Sequence, residues 1–455
     1  MTTTSATGAG TILERLPLSG WHRRLVVIVG LGSFFDLYEV FLGGVLAPIL
    51  AKEFALGTTG KAAVVASGFL GMFVGANVLS VLADRLGRRN VFLLNLLTYS
   101  LFSLAAAFSP NIETFFVLRF LAGIGLGAEL VLVDTYLAEF LPGAVRGRYT
   151  AWAYTVGFLG VPIAALLGGK LVAANEIAGV DGWRWLLVAG GLGAVLVLVI
   201  RRILPESPRW LESRGRTTEA LDVARDIAVR AGRPDLAEGV APSPPPERPT
   251  ASSTTAVLRT AFTGVYRTRT IMLFVFQVLQ TVAYYGFGTL APLVLVSKGF
   301  EVTDSLGYAA LSYAGYPIGS LISVPLVERF ERKFLIIGSA IAIAVLGIVF
   351  AAASAVWLIV LAGFLLTSAS NVFSNSFHIY QAEIFPTAIR STASGVAYSL
   401  SRGTSVVLPF VAVPLLYSAG PVAVFGGAAV LIVVLCLDVG LLGPRSTGLV
   451  LEDVH

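Results

Sequence analysis

The sequence predicts an all-α polytopic membrane protein, with twelve transmembrane helices in two pseudo-symmetric six-helix bundles, and three observations carry that expectation. Charged residues make up 13% of the 455 and hydrophobic residues 56%, a balance from which no soluble surface can be built. The apolar residues fall in twelve runs of ~20, each long enough to cross ~30 Å of hydrocarbon as a helix. Two polar motifs recur at one fixed offset. The single Cys436 lies inside an apolar run, which excludes a disulfide framework and a cysteine-based zinc site. Residues 1 to 20 have no apolar core, so no cleavable signal peptide is expected. The balance of 32 basic against 27 acidic residues is +5, and its placement points to topology, not to a nucleic-acid partner.

Spans 1 to 6 are expected near Leu25 to Leu50, Ala62 to Leu82, Val91 to Phe108, Thr114 to Leu137, Thr150 to Val172 and Trp185 to Leu204. Spans 7 to 12 follow near Ile271 to Val296, Ser305 to Leu326, Phe334 to Ala352, Ala355 to Tyr380, Ser391 to Leu416 and Pro421 to Leu442. The expected division is residues 1–204 as one bundle, 205–270 as a cytoplasmic connection and 271–455 as the second bundle and tail. With a cytoplasmic amino terminus, only Lys52, Lys61, Lys170, Arg184 and Lys298 of the 32 basic residues fall outside, so both termini are expected in the cytoplasm. Within the connection, Thr217 to Arg230 has apolar periodicity, an expected Thr cap and Gly232 as a stop, which predicts a short amphipathic helix. Ala241 to Ser253 is Pro- and Ser-rich and is expected to be a flexible linker.

Asp84-Arg85-Leu86-Gly87-Arg88-Arg89 after span 2 is answered by Glu328-Arg329-Phe330-Glu331-Arg332-Lys333 after span 8, 244 positions later. Ala138-Glu139-Phe140-Leu141-Pro142 with Arg146 is answered at the same offset by Ala382-Glu383-Ile384-Phe385-Pro386 with Arg390. The chain therefore reads as a duplicated six-helix unit, and such repeats place substrate near the midplane between halves that rock about it. These motifs resemble the major facilitator superfamily, and Pro205-Glu206-Ser207-Pro208-Arg209-Trp210-Leu211 resembles its sugar-porter group. Gly127-Ala128-Glu129-Leu130 and Tyr380 to Thr387 look most like bacterial metabolite:proton symporters and organic-acid carriers.

The resemblance implies a gate at the cytoplasmic rim. It assigns Asp84, Arg88, Glu139, Arg146, Glu206 and Arg209 to ion pairs that hold the halves together when the carrier faces outward, although Ser80 stands where the family has glycine. The alternative is that these residues only cap helix ends and satisfy the charge rule. Where the family pattern has an acid after span 12 the chain has Arg445, so a weaker latch is expected on the second half, with Glu328, Glu383 and Arg390 as its remaining members.

Asp36, Glu39, Arg119, Glu129, Asp134, His378, Arg402 and Asp438 fall within spans, where an unpaired charge costs at least ~2.5 kcal/mol, so each should face a cavity or a partner. In proton-coupled relatives an acid at the position of Asp36 pairs with the arginine at the position of Arg119. Asp36 is accordingly the first expectation for proton carrier, with Glu39 three residues on and Glu129 as further members and a static salt bridge as the alternative. Asp134 maps onto His378 by the repeat offset and Asp36 onto Gln280, as expected of polar groups around a central cavity. Glu129 and His378 each have a plain reading as well, an interhelical hydrogen bond and a satisfied core histidine.

Arg402 stands 12 residues beyond Arg390, or ~18 Å up a helix, close to the midplane. Its planar fork suits a carboxylate held by two hydrogen bonds; pairing with Glu129, Asp134 or Asp438 is the alternative. The opposing wall is expected from Gln277, Gln280, Tyr284 and Tyr285 on span 7, Tyr313 and Tyr316 on span 8, and Asn371 and Asn375 on span 10. Span 7 lacks the Gly-Ile-Asn continuation of sugar porters and span 10 lacks their Gly-Pro break and Trp. The expectation is a proton-coupled importer of a small organic anion, such as an aromatic or heterocyclic carboxylate. A sugar, polyol or other neutral metabolite carrier, a proton-driven exporter and a non-transporting receptor are the alternatives. Three histidines (His22, His378, His455) form no recognisable catalytic or metal set, so neither an enzyme nor a cofactor is expected. The expected partners are substrate, proton and bilayer, with the chain a monomer in the plasma membrane.

Overall fold

A computed structural model describes residues 8–127, 129–173, 176–238, 240–242, 262–384 and 387–445. Among these residues, ten helices are long and apolar enough to cross a membrane. The last of them, Val396–Leu442, turns back at Gly420, whose φ of 84° is open to glycine, and so makes spans 11 and 12. Span 4 is built from Ile112–Leu126 and Glu129–Phe140, which completes twelve. Several helices run past the apolar stretches that predicted them, span 1 from Gly20 to Glu53 and span 7 from Gly264 to Ser297.

The two halves meet through spans 1 and 7, 2 and 11, and 5 and 8. These pairings map onto one another under a six-helix shift, as an internal pseudo-twofold requires. The repeat also appears in the packing. A Cβ on Gly71 or Gly75 of span 2 would stand 2.0 Å from the carbonyl oxygens of Phe120 and Ile124 on span 4. Gly315 and Gly319 of span 8, 244 positions later, are pressed in the same way on Phe364 O at 2.1 Å and Ser368 O at 2.2 Å of span 10. In hydrocarbon, small residues let backbones approach, and dispersion rather than dewetting holds the helices together. The halves are also drawn close where Gly44 abuts Thr289 O and where Lys61 Nζ lies 4.0 Å over the Tyr417 ring. Leu192, Leu196 and Val199 on span 6 and Leu437 and Leu441 on span 12 are exposed, as lipid-facing residues are.

Beyond span 6, helix Pro208–Ser213 and helix Thr217–Arg230 pack at the end of the first bundle. The expected Thr cap is not used: Thr217 is the first helical residue and Arg216 the cap, while Gly232 ends the helix at φ 75°. An additional short helix, Ala9–Arg15, lays Ala9, Ile12 and Leu13 on Leu211, Leu221, Ala224 and Ile227 in a buried apolar cluster. Most of the expected linker, residues 243–253, lies outside the described residues.

Candidate functional site

The buried charges of the first half sit in two pockets. Arg119 Nη1 donates to Glu39 Oε2 at 2.6 Å and its Nη2 donates to the Glu39 carbonyl at 3.1 Å, while Ser103 Oγ donates to Glu39 Oε1 at 2.5 Å. The expected Asp36–Arg119 pair is therefore not formed. Residues three apart on a helix lie about 60° apart around its axis, enough to send the two carboxyls to different neighbours. Gly190 of span 6 leaves room for Glu39, since a Cβ there would reach its Oε1 at 2.4 Å. Asp36 instead lies in a pocket with Glu129, Arg201 and Tyr99, and neither of its carboxylate oxygens makes a well-formed hydrogen bond. Arg201 pairs with Glu129, whose second oxygen accepts from Asn95 Nδ2 at 3.2 Å, and its guanidinium lies 4.5 Å over the Phe92 ring. Sequence reasoning missed Arg201 as an intramembrane cation because it closes span 6, where a basic residue passes for a topology signal. The usable signal was its place inside an apolar run, before Leu204 and Pro205.

The centre of the molecule is aromatic. Phe41 and Phe158 of the first half pack on Tyr316 of the second, with centroids 5.6 and 5.5 Å apart, and Phe69 meets Tyr285 edge-on at 5.4 Å. Tyr284 adjoins both Tyr285 and Tyr316. Behind this cluster Arg402 is 1% exposed, which decides that it must find its partners inside the protein. Its Nη1 donates to Tyr285 Oη at 2.9 Å and its Nη2 to Tyr398 Oη, while its Nε has no hydrogen-bond acceptor among the described residues. No described carboxylate lies within ion-pair distance, so the alternative of pairing with Glu129, Asp134 or Asp438 is not realised. Asp134 accepts from Tyr154 Oη at 2.7 Å and lies within electrostatic reach of His378 and Tyr398 across the halves. The residue that the repeat matched to Asp134 is thus its neighbour, and His378 is exposed.

The amides expected on the wall are largely engaged inside the second half. Gln280 Nε2 donates to Ser401 Oγ at 2.8 Å and to Gln277 Oε1 at 3.2 Å, and Gln277 in turn donates to Gln381. Asn375 donates to Ser323 Oγ at 2.6 Å, Asn371 to the Tyr316 carbonyl, and Tyr313 Oη to the Gly288 carbonyl at 2.7 Å. These bonds tie spans 7, 8, 10 and 11 to one another. Phe41, Phe69, Phe158 and Tyr398, which complete the aromatic lining, gave no signal in sequence because a ring inside an apolar run looks like any other core residue.

A family model described as "Sugar (and other) transporter" matches residues 25–455. The chain belongs to this transporter family, within the major facilitator superfamily. YyaJ of Bacillus subtilis (strain 168), named for metabolite transport, is 32% identical over 417 residues, covering 90% of each chain. The niacin transporter NiaP of Acinetobacter baylyi (strain ATCC 33305 / BD413 / ADP1) is 30% identical over 443 residues, covering 97% of this chain and 98% of its own. Among solved structures, the partially occluded inward-open xylose transporter XylE of E. coli superposes with a TM-score of 0.76, covering 95% of this chain and 100% of XylE at 19% identity. That likeness shows the twelve-helix fold. The protein is a multi-pass membrane transporter and not an enzyme.

At the rim of the transporter Arg88, Glu139, Arg146, Glu206 and Arg209 make contacts that join elements of the first half. Glu206 Oε1 accepts from the backbone amides of Arg88 and Arg89 at 3.0 and 3.2 Å and so caps the amino end of span 3. Arg88 Nε lies 3.8 Å from Glu139 Oε1. Arg146 and Arg209 both donate to Glu14 Oε1, at 3.0 and 2.9 Å, and Glu14 Oε2 accepts from the Gly143 amide at 2.9 Å. That amide and the two arginines hold the Glu14 carboxyl below the usual carboxylate range. Glu14 was not anticipated, since its partners lie far away in the chain. The side chains of Asp84, Glu328, Glu383 and Arg390 lie outside those described. Arg445, where the family has an acid, lies 5.8 Å over the Phe334 ring.

Proposed function

We propose that the transporter imports a small organic anion with an aromatic or heteroaromatic ring, together with protons, by alternating access. The observation that supports this most is Arg402: a buried cation whose described partners are phenol hydroxyls, beside the aromatic cluster of Phe41, Phe69, Tyr284, Tyr285 and Tyr316. A buried guanidinium without a counter-charge is costly, and a substrate carboxylate supplies one with fork geometry, while the rings stack on the rest of the ligand. A neutral polyol would need several free amides, and the amide NH2 groups of Gln277, Gln280, Asn371 and Asn375 are engaged elsewhere. The relative NiaP is named for niacin, a heteroaromatic carboxylate. Drawing an anion into a negatively charged interior requires a co-transported cation, and Asp36, Glu39, Glu129 and Arg119 are the groups proposed to couple proton movement to it. The positive-inside count supports cytoplasmic termini, with residues 205–270 joining the two bundles and the bilayer as the other partner.

The deciding experiment is thermal stabilisation of the purified transporter by a panel of aromatic carboxylates and of sugars, repeated with Arg402→Ala. Carboxylates should raise the melting temperature of wild type and not of the variant. Stabilisation by sugars alone, or by acids equally in both, rejects the anion reading. Coupling is read separately in proteoliposomes, where Asp36→Asn should abolish accumulation driven by a pH gradient.

A further inference from the structure

The two buried pockets of the first half differ in their charge balance. Glu39 and Arg119 are one acid and one base, side-chain exposure 0% and 3%, and Ser103 completes the shell. The other pocket holds two acids, Asp36 and Glu129, and one base, Arg201, exposed by 1%, 0% and 2%, so no water neutralises the excess. Unless one carboxyl is protonated, that pocket keeps a net negative charge at membrane depth, which is costly. The donors are unequally shared. Arg201 Nη1 and Asn95 Nδ2 both donate to Glu129, whereas Asp36 has only the Tyr99 phenol close by, in a contact that misses hydrogen-bond geometry. Hydrogen bonds donated to a carboxyl favour its ionised form, so the proton belongs on Asp36 while Arg201 is on Glu129. The charged and titratable groups facing the acid pair are Arg201 from span 6 and Tyr99 from span 3; the next acid on span 1, Glu39, is bound to Arg119 of span 4.

Arg201 is also the group that links the acid pair to the rim. Gly32 makes the room that its guanidinium fills, since a Cβ there would stand 1.8 Å from Nη2. The chain just beyond it is tied to the rim: Arg89 donates to the Arg202 carbonyl at 2.8 Å, Tyr136 donates to the Pro205 carbonyl at 2.5 Å, and Glu206 caps span 3. A shift at the rim is transmitted to Arg201 through a few residues.

We propose that Asp36 and Glu129 form a shared proton site and that Arg201 is its positioning residue. When Arg201 moves from Glu129 to Asp36, the proton on the Asp36 carboxyl passes to the Glu129 carboxylate or to water, and no other bond changes. The proposal deepens the proton-coupled reading and rests on it for its use. Within the coupling set named above it narrows the proton-carrying role to Asp36 and Glu129, with the Glu39–Arg119 ion pair beside them.

The test is an infrared titration of the carboxyl C=O band of the full chain in lipid vesicles, with the proton itself as the probe. Wild type should show a buried protonated carboxyl near neutral pH that is lost in Asp36→Asn. In Glu129→Gln, Asp36 becomes the sole counter-charge of Arg201, so the midpoint should fall by about one unit or more; in Arg201→Gln two acids have no cation, and it should rise by about as much. Arg201→Lys, which keeps the charge, should return the midpoint toward wild type. A band that survives Asp36→Asn, or midpoints unmoved in both Glu129→Gln and Arg201→Gln, overturns the shared site. The coupling reading fails separately: shifted midpoints in a carrier whose uptake ignores the pH gradient leave the shared site standing and remove its use.

Discussion

The two halves of the transporter treat buried arginines in opposite ways. In the first half Arg119 and Arg201 each hold a carboxylate, so their charge is spent inside the fold. In the second half Arg402, equally buried, is held by two phenols and a neighbouring ring face. A phenol lends a lone pair but no charge, so Arg402 keeps a demand that an ion pair would have met. Under the proposed function the difference is a division of labour: the first half would store protons between its own groups, and the second would present Arg402 to whatever enters the aromatic centre. One sequence repeat thus diverged into two chemistries around a common scaffold of Gly71, Gly75, Gly315 and Gly319.

The sharpest way to break this comparison is to remove one partner from each half. Glu39→Gln leaves Arg119 buried without its counter-charge and is expected to cost ~3–5 kcal/mol, seen as a large fall in melting temperature of the ligand-free protein. Arg402→Leu removes a cation that has no counter-charge among the described residues and should leave ligand-free stability level or raised, while abolishing stabilisation by carboxylates. Equal losses in the two variants would mean that Arg402 is a structural residue like Arg119.

A smaller effect sharpens the same point from the phenol side. Tyr285→Phe or Tyr398→Phe strips one acceptor from Arg402 and should cost ~1–3 kcal/mol of ligand-free stability, the penalty of a buried donor left unmade. Binding of an aromatic carboxylate, followed by calorimetry, should hold or tighten because the guanidinium has fewer competitors for the anion. Weakened binding with unchanged stability would instead make the hydroxyls direct contacts of the substrate.

Much of the fold was legible because it depends on quantities that a sequence carries openly. Span length, the placement of Arg88, Arg146 and Arg332, and the offset of 244 are all one-dimensional. The place of Arg402 well inside the last helical pair was legible for the same reason, being a count of residues from Arg390. What the site does with its residues was less so. Whether Asp36 or Glu39 meets Arg119 depends on how span 1 is rotated against spans 3, 4 and 6, and both acids satisfy the same helical spacing. Gln277, Gln280, Asn371 and Asn375 have the polarity a binding wall needs, but bonds between neighbouring spans claimed them first.

The smallest expected effect concerns Glu14, and it carries the comparison from the core to the rim. Both arginines that it holds, Arg146 and Arg209, are among those expected from the sequence to gate, and the helix that carries it is pinned by the packing of Ile12 and Leu13. Glu14 is 43% exposed, so water screens the pairs and Glu14→Gln should cost well under ~1 kcal/mol. The sign with pH is definite. Because its folded-state pKa is depressed, the contribution of Glu14 is fully present above the unfolded value and is lost as pH falls through the folded one. The difference in melting temperature between wild type and Glu14→Gln should therefore be small but measurable at pH 7 and should vanish in acid. A difference that persists below the carboxylate range would mean that Glu14 acts through packing and not through charge, and the strap formed by Ala9–Arg15 would then hold the rim by its apolar face alone.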